Sequence, residues 1–427
     1  MLDSILLFNF IVVTLMTLAY AYQTFFIAAG LYFKIKNKNK HTQESKDLKQ
    51  YKYAAIISAR NEENVIGQLI GSLKKQNYPS DLFDIYVIAD NCTDNTGLAA
   101  KRAGANVLYR YDEEKKGKGY ALDYFFHELE KRYDEIPYEG YFVFDADNIV
   151  DPNFVMEMNK VHNEGYDAIT SYRNSKNCDE NWIAAGYSVW FLKEARFLNS
   201  PRYEFKTTCA ISGTGFFVSQ KLINKNGGWP YHLLTEDIEF SVNCAINEEL
   251  IGYADKAIVY DEQPTTFKQS WDQRLRWSKG FYQINLKYTI DLIKSVFTNK
   301  KHKFSAYDLL MTTAPSMLLT LTAVVVNLGV LIYCLYKPSY MNIKTVEITL
   351  DYLICALVNF YISMYACGFI TVILEWKNIK TSAFNKIKYT FTFPLFMLTY
   401  IPIALVALFK KVEWKQINHF ATNKQII

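Results

Sequence analysis

The sequence lacks paired or clustered cysteines. Its seven cysteines are scattered, and no CxxC pair or cysteine–histidine cluster occurs. An odd set of isolated thiols excludes a disulfide framework and a zinc site, and it predicts reduced cysteines in a cytosol-facing domain. A strong excess of charge is also missing, because the formal net charge is only +4. A balance this small gives no reason to expect a nucleic-acid partner.

Internal repeats, low-complexity tracts and proline-rich linkers are missing as well, which excludes a solenoid or a chain of loosely joined modules. Long apolar segments are present instead, near the N-terminus and in the last third of the 427 residues. This length suits one catalytic domain plus membrane spans. Basic residues cluster beside the apolar runs, which predicts contact with the anionic surface of a lipid bilayer.

The first apolar run covers residues 5–33 and is longer than the roughly 20 residues that cross a bilayer. A signal peptide fits poorly, because the run has no basic start and is too long. Four lysines follow at once: Lys34, Lys36, Lys38 and Lys40. The positive-inside rule therefore predicts a transmembrane helix over residues 1–33 with its N-terminus outside, and a cytosolic domain over residues 34–262.

Between residues 53 and 261, short β-branched runs alternate with stretches of helical periodicity. The runs are 54–58, 84–89, 106–109 and 141–144, and the helical stretches are 65–75, 96–103, 121–132 and 154–162. This alternation predicts an α/β domain with a largely parallel sheet covered by helices. Ligands of such sheets bind at the carboxyl ends of the strands, where Asp90 and the motif Asp145-Ala146-Asp147 lie.

Two aromatic-rich stretches, residues 182–198 and 265–297, have the length of helices. They fit core-facing amphipathic helices, and they also fit helices in the membrane interface. Their closeness to the spans favours the second interpretation, so residues 263–304 are predicted to be amphipathic interface helices.

Three later apolar runs, residues 309–336, 348–376 and 389–409, predict three transmembrane helices within residues 305–410, before a short tail over residues 411–427. The chain would then cross the plasma membrane four times. Three lysines follow the last run, against the positive-inside rule: Lys410, Lys411 and Lys415. Either the tail lies outside despite them, or one run hides a re-entrant pair of helices. The prediction adopted is three spans.

Asp145-Ala146-Asp147 ends an apolar strand, so its two carboxylates can point at one cation. Hard oxygen ligands suit Mg²⁺ or Mn²⁺, which would bridge a diphosphate. Such a motif alone also fits a surface turn, but its position at a strand end favours a metal site. Asp145 and Asp147 are therefore the predicted metal ligands.

The strand ends nearer the N-terminus predict the walls of a nucleotide pocket. Asp90 can accept hydrogen bonds from a base or a ribose, and helix capping, the alternative role, suits Asp94 or Asn95 better. Ser58, Arg60 and Glu62 end the first strand in the same way. Lys118 lies between two glycines and can bring an ammonium group to a diphosphate, although a solvated loop fits this fragment equally well.

Two motifs follow the apolar core of the domain. Thr235-Glu236-Asp237 begins a helix, where the dipole favours a carboxylate anion. Capping by Thr235 is one interpretation, and a general base that takes the proton of an acceptor hydroxyl is the other. Gln273-Arg274-Leu275-Arg276-Trp277 lies on the second aromatic-rich helix, where Arg276 can clamp phosphates and Trp277 offers a flat face to a sugar. A basic membrane-surface helix would also explain the arginines.

This ordered set of motifs resembles the processive family-2 glycosyltransferases, which include the cellulose, chitin, hyaluronan and poly-N-acetylglucosamine synthases. The resemblance runs from about residue 53 to residue 280. It implies a glycosyltransferase A fold, in which Asp90 contacts uridine, Asp147 is the main metal ligand and Asp145 supports nucleotide and metal. It further implies that Asp237, beside Glu236, is the catalytic base.

The same resemblance implies that Gln273, Arg276 and Trp277 close the donor site. It also places an acceptor loop at Gly213, Thr214 and Gly215, with Trp277 beside it. The aromatic pair that cellulose synthases carry before this glycine is replaced here by Ile211 and Ser212, which departs from a strict cellulose-synthase pattern.

The resulting hypothesis is a processive, inverting glycosyltransferase that uses UDP-glucose and Mg²⁺ or Mn²⁺ to make a β-glucan and exports it across the membrane. The growing polysaccharide would be the acceptor, and a homo-oligomer or cell-envelope export partners are compatible with this reading. The alternatives are a chitin, poly-N-acetylglucosamine or hyaluronan-type synthase, or a transferase that adds one sugar to a lipid. A transporter or an inactive scaffold is the non-enzyme alternative, and the scarcity of charged residues inside the spans does not favour a transporter.

Overall fold

The computed structural model describes residues 2–37 and 48–412, apart from the side chains of residues 37 and 315–317. The predictions that involve Lys38, Lys40, Lys415 and the tail beyond residue 412 lie outside the described residues. One long helix, α1 (Leu2–Asn37), precedes an α/β domain. A series of long helices follows this domain.

Eight strands form one mixed sheet in the order β3-β2-β1-β4-β7-β6-β8-β5. The strands are β1 Tyr53–Ala59, β2 Phe83–Asp90, β3 Asn106–Arg110, β4 Gly140–Asp145, β5 Ile149–Val150, β6 Ala168–Ser175, β7 Phe216–Ser219 and β8 Ile251–Asp261. The pairs β1–β2, β1–β4, β2–β3 and β6–β8 are parallel. The pairs of β7 with β4 and β6, and that of β5 with β8, are antiparallel.

The predicted α/β class and the four predicted strands are confirmed, and the sheet is mixed where a largely parallel one was expected. The reason is β7, which returns between β4 and β6 and keeps those two strands pointing the same way. The carboxyl ends of β1, β2, β4, β6 and β8 therefore lie at one edge, and this edge carries the polar residues.

Helices cover both faces of the sheet, each over its own apolar core. The domain helices are α2 Ile66–Lys74, α3 Thr96–Arg102, α4 Lys118–Arg132, α5 Phe154–Asn163, α6 Trp182–Glu194, α7 Ser200–Glu204, α8 Gln220–Asn226 and α9 Glu236–Ile246. Helix α6 is apolar on all sides and buried, because it lies between the sheet and the helices that follow the domain. A π-helical segment, Ala195–Asn199, joins it to α7.

The helices after the domain are α10 Phe267–Thr298, α11 Lys303–Thr313, α12 Pro315–Tyr336, α13 Tyr340–Leu374, α14 Ala383–Leu398 and α15 Tyr400–Phe409. Helix α10 contains the Gln273–Trp277 motif and exposes a stripe of large apolar side chains at helical spacing: Leu286, Ile290, Ile293 and Phe297. Such a stripe is typical of a helix on a membrane surface and supports the predicted interface helix.

Four segments within the described residues are long and apolar enough to cross a membrane, which matches the expected number. They are Leu2–Lys36, Lys303–Tyr336, Tyr340–Leu374 and Ala383–Phe409.

The last of the four segments differs from the others. Its helix is interrupted at Thr399, between α14 and α15, and 39% of its most apolar stretch is buried, against 6–17% for the other three. Arg274 of α10 donates to Phe396 O (3.1 Å) and Thr399 Oγ1 (2.6 Å), and Lys279 of α10 donates to Ala407 O (3.1 Å). The segment therefore lies against α10 on the side of the catalytic domain.

A buried carboxylate joins the membrane helices to the sheet. Glu375, which follows α13, accepts from Lys34 (3.0 Å) of α1, from Arg196 Nε (2.7 Å) and from Tyr172 OH (2.7 Å) of β6. Arg196 and Lys34 outweigh the effect of burial, so the pKa of Glu375 lies below its usual range. The carboxylate is thus charged and fixes the end of α13 to β6.

Candidate active site

A cleft of about 620 Å³ opens at the carboxyl edge of the sheet. Its walls contain residues from the carboxyl ends of four strands: Ser58 of β1, Asp90 of β2, Asp145 of β4 and Asp261 of β8. The register explains this convergence, because Ser58 is paired with Asp145 across β1 and β4. The expectation that strand ends bring these side chains together is met.

The wall at β1 and β2 contains the predicted nucleotide residues Ser58, Arg60, Glu62 and Asp90. Asp90 is 4% exposed and accepts from Arg110 Nη1 (2.6 Å), a partner on β3 that the sequence analysis did not identify. Burial raises the pKa of Asp90, and Arg110 opposes that rise. Helix α3 is started by Asp94 Oδ1, which accepts from the backbone N–H of Thr96 (2.9 Å). Asp90 therefore does not cap α3, and its side chain faces the cleft.

Asp145, the last residue of β4, and Asp147, two residues later, lie at the floor of the cleft. Lys118 Nζ donates to Asp145 Oδ1 (2.6 Å) and to Gly213 O (2.6 Å), so the predicted diphosphate lysine reaches the floor. Burial alone would lower the pKa of Lys118, but Asp145 and Glu236 outweigh it and raise that pKa. Lys118 is therefore a fixed positive charge beside the two carboxylates.

A buried ion pair, which was not among the residues predicted from the sequence, supports the floor. Arg173 of β6 donates through Nε to Asp261 Oδ2 (3.0 Å) and through Nη1 to Ser212 O (2.6 Å). Asn148 Nδ2 also donates to Asp261 Oδ1 (3.0 Å). Asp261 ends a strand, as Asp90 and Asp145 do, and this shared position was the signal that could have found it.

Only Gly213 of the three predicted acceptor-loop residues lines the cleft. Thr214 is 2% exposed and accepts from the backbone N–H of Asp145 (2.9 Å), so it holds the end of β4 from behind. Gly215 has a φ of +63°, and a Cβ there would lie 2.6 Å from Ser171 Oγ. Thr214 and Gly215 thus support the loop from outside the cleft, because the chain turns inward after Gly213.

Glu236 and Asp237 begin α9 and face the cleft opposite the floor. Thr235 occupies the capping position, but its side chain makes no capping hydrogen bond. Burial and the neighbouring Asp237 raise the pKa of Glu236 to about 7, while Lys118 and Arg276 oppose this. Burial likewise raises the pKa of Asp237. Both shifts favour protonation, so this carboxyl pair takes up a proton at a higher pH than free carboxyl groups do.

The residues of the Gln273–Trp277 motif separate into two groups. Gln273, Arg276 and Trp277 line the cleft, and the buried Gln273 Oε1 has no hydrogen-bond partner among the described residues. Arg276 Nη1 donates to Leu234 O (3.2 Å), which holds the guanidinium beside α9. Arg274 is fully buried and points away from the cleft to the bend between α14 and α15. One arginine therefore faces the site and the other anchors the last helices.

The cleft continues from Trp277 into an apolar crevice among the long helices. The crevice is lined by Met16 of α1, Leu321 of α12, Phe360 of α13, Met397 of α14, and Ile401 and Ala404 of α15. Thr320 and Tyr400 are polar residues in the same wall. This extension is not predictable from the sequence, because its six apolar residues come from five separate helices.

The carboxylates of the cleft floor offer oxygen ligands for a divalent cation. The described residues contain no group of three or more histidine, cysteine, aspartate or glutamate side chains arranged around one point. A cation bound by one or two carboxylates plus substrate phosphates does not need such a group. Asp145 and Asp147 on the cleft floor fit that second mode.

Comparisons with known proteins agree with this arrangement. Residues 50–280 match the family described as Glycosyltransferase like family 2. The probable glycosyltransferase YdaM of Bacillus subtilis is 27% identical over 251 residues, 57% of this chain and 58% of that protein. Beta-monoglucosyldiacylglycerol synthase of Nostoc is 26% identical over 285 residues, 62% of this chain and 58% of that protein. The chain thus matches under two thirds of the length of these relatives.

Two further proteins extend the comparison. The poly-beta-1,6-N-acetyl-D-glucosamine synthase of Staphylococcus epidermidis is 21% identical over 293 residues, 67% of this chain and 68% of that protein. A solved structure, the mannosyltransferase PcManGT from Pyrobaculum calidifontis in complex with GDP-Man and Mn²⁺, covers 94% of this chain and 99% of its own. Its TM-score is 0.54 at 14% identity, so the likeness concerns the fold.

The family match spans more than half of the chain and coincides with the sheet, the carboxylates and the Gln273–Trp277 motif. The expected glycosyltransferase A-like fold is confirmed, and membership of a glycosyltransferase family does not favour a transporter. The chain therefore belongs to glycosyltransferase family 2.

Proposed function

We propose that this enzyme transfers a hexose, most simply glucose, from a UDP-sugar to a hydroxyl group of a membrane lipid and leaves a β linkage. The observation that carries the proposal is the continuous cavity, which begins at Asp147 and Asp237 and ends in the apolar crevice. The enzyme would act at the inner face of the plasma membrane, with its catalytic domain in the cytosol and its N-terminus outside.

The crevice supports a lipid acceptor because of its lining. Apolar side chains gain free energy by contact with acyl chains, at about 25 cal/mol for each Å² removed from water. A sugar chain in the same place would leave its hydroxyls without hydrogen bonds. The curated relatives include an enzyme whose name gives diacylglycerol as its lipid, which agrees with this assignment.

The donor would bind across the sheet edge. Asp90, with Ser58, Arg60 and Glu62, would hold the uridine, and Arg276 and Lys118 would contact the diphosphate. Gln273 Oε1 has an unused buried acceptor position, which a donor hydroxyl would satisfy.

A divalent cation, Mg²⁺ or Mn²⁺, would be held by Asp145 and Asp147. When bound, it supplies positive charge that stabilises the departing diphosphate. Lys118 donates to Asp145, so its ammonium group lies where it would contact a phosphate oxygen near the cation. Asp261 and Arg173 keep the floor in position from below.

Asp237 would take the proton of the lipid hydroxyl as that oxygen attacks the anomeric carbon. Its Oδ2 lies 3.9 Å from the point that a Cβ at Gly213 would occupy, so it faces the acceptor loop directly. Glu236 would keep the proton affinity of the pair high through like-charge repulsion. A direct displacement with one base inverts the anomeric centre, which gives a β-linked product from an α-linked donor.

Processive β-glucan synthesis is the second candidate, and the Gln273–Trp277 motif favours it. The export path that it requires has less support. Asn327 of α12 pairs with Asn9 of α1 (3.0 Å), Tyr361 OH donates to Phe391 O (3.0 Å), and Asn359 and Tyr365 do not line the cavity. Helix α13 is largely exposed, whereas a helix that encloses a channel would bury one face.

The test uses the purified full chain in nanodiscs with UDP-glucose and Mn²⁺, with and without diacylglycerol. We expect UDP release that depends on the lipid and a β-glucosyl lipid product by mass spectrometry. The Asp237→Asn variant is the control for background hydrolysis. High-mass, glucanase-sensitive polymer from UDP-glucose alone would contradict the lipid proposal and favour the second candidate.

A further inference from the structure

Glu194 is a carboxylate of the cleft that the reaction above does not use. Asp90, Asp145 and Asp261 each have a salt bridge, to Arg110, Lys118 and Arg173. Glu194 lines the same cleft, and within the described residues its side chain makes no hydrogen bond or salt bridge. Burial raises the pKa of Glu194, while Lys193 and Arg173 oppose that rise. Glu194 is half-buried, and a carboxylate that lines a cleft without a protein partner has unused hydrogen-bond acceptors.

The position of Glu194 marks the boundary between the polar cleft and the apolar crevice. It interacts electrostatically with Arg173 and Asp237 on the catalytic side and with Tyr400 on the side of the crevice. Glu194 is the last residue of α6, directly before the π-helical segment, and such segments are frequent at functional sites.

Trp190 completes the arrangement. It lies one helical turn before Glu194, so both side chains project from the same face of α6, and both line the cleft. The guanidinium carbon of Arg173 lies 3.8 Å from the ring centre of the intervening Phe191. The Phe191 ring also packs edge to face against Trp277, with the two ring centres 6.3 Å apart. These contacts fix this face of α6 beside the acceptor side of the cleft. An aromatic face next to a carboxylate is suited to a sugar ring, because the ring has an apolar face and hydroxyls at its rim.

We propose that Trp190 and Glu194 form a subsite for the headgroup of the lipid acceptor, and that this headgroup carries hydroxyls besides the one that reacts. The inference rests on the proposed lipid acceptor and narrows its class. Diacylglycerol has a single free hydroxyl, which Asp237 engages, and it leaves Glu194 without a donor. A lipid with a sugar headgroup gives Glu194 two or more hydroxyls while its acyl chains occupy the crevice.

The experiment compares dioleoylglycerol with monoglucosyl-dioleoylglycerol as acceptors in nanodiscs, with UDP-glucose and Mn²⁺. The variants are Glu194→Gln and Trp190→Leu, and Glu180→Gln is the matched control, since Glu180 is an exposed carboxylate just before α6. Donor KM and the Kd for UDP are measured for every variant, which reports whether the donor site is folded.

We expect the wild type to prefer the glucosylated lipid in kcat/KM. Glu194→Gln should lower that preference about tenfold or more, the effect of a lost charge-assisted hydrogen bond, and leave donor KM and UDP binding unchanged. Trp190→Leu should act in the same direction, and Glu180→Gln should match the wild type. Equal use of both lipids by the wild type, or an equal loss on both in Glu194→Gln, overturns the subsite. A wild type that glucosylates neither lipid overturns the proposed function itself and the subsite with it.

Discussion

The Arg173–Asp261 pair allows a quantitative test of what holds the active-site floor together. Arg173 and Asp261 are 10% and 5% exposed, so the pair is almost completely removed from water. Replacement of Arg173 by Met leaves the carboxylate of Asp261 buried, with amide donors from Asn148 and Gln263 among the described residues and no cation beside it there. Loss of one partner of a buried pair costs about 3–5 kcal/mol. For a domain of 150–250 residues, the size of the catalytic domain, this lowers the unfolding midpoint by about 6–20 °C.

The assay is thermal unfolding of the full chain in detergent, followed by tryptophan fluorescence. Lys221→Met is the matched control, because Lys221 and Asp167 form a contact of 2.6 Å but Lys221 is 80% exposed. Such a surface pair is worth less than about 1 kcal/mol. The double variant Arg173→Met, Asp261→Asn should recover part of the loss, because no unpaired charge then stays buried. Equal shifts in the two single variants would refute the reasoning.

Four further predictions concern catalysis and topology. Asp237→Asn should lower kcat by about 10²–10⁴-fold and keep UDP affinity, which isothermal calorimetry measures, and an unchanged kcat would exclude Asp237 as the base. Asp147→Asn should abolish turnover while thermal stability stays near that of the wild type, and a wild-type rate at saturating Mn²⁺ would contradict its role as a metal ligand. Activity should fall as the pH drops through about 7, because the raised pKa of Glu236 marks proton uptake by the carboxyl pair. Glu236→Gln should move this acidic limb of the pH–activity profile to lower pH, since the repulsion that favours protonation of Asp237 disappears. A cysteine in place of Lys410 should react with a membrane-impermeant maleimide only from the side of the catalytic domain, because α15 ends against α10. Labelling from the opposite side would instead favour a fourth full crossing of the membrane by the last apolar segment.

The sequence alone predicted the strand ends and most of the residues that line the candidate site. Short β-branched runs next to single polar residues are local signals, and parallel strands bring their carboxyl ends to one edge whatever the rest of the chain does. Thirteen of the predicted site residues accordingly line one cleft. They are Ser58, Arg60, Glu62, Asp90, Lys118, Asp145, Asp147, Gly213, Glu236, Asp237, Gln273, Arg276 and Trp277.

The tertiary structure decided which neighbouring residues face the cleft. Gly213 and Thr214 are adjacent in sequence, yet a φ of +87° at Gly213 turns the chain so that Thr214 supports Asp145 from behind. Arg274 and Arg276 are two residues apart on one helix, and they point to different sides because two residues span about 200° of a helical turn. No composition or spacing reveals which of the two faces the ligand.

The tertiary structure alone also assembled the acceptor side. Met16 and Ala404 are far apart in sequence, and only the packing of α1 against the later helices brings them into one crevice. The last apolar run has the composition of a membrane span, but hydropathy does not record that Arg274 and Lys279 hold its two halves against α10. Local patterns determine elements and their polar ends, because these depend on neighbours in the chain. The lining of a cavity depends on contacts between distant segments, and these exist only once the chain has folded.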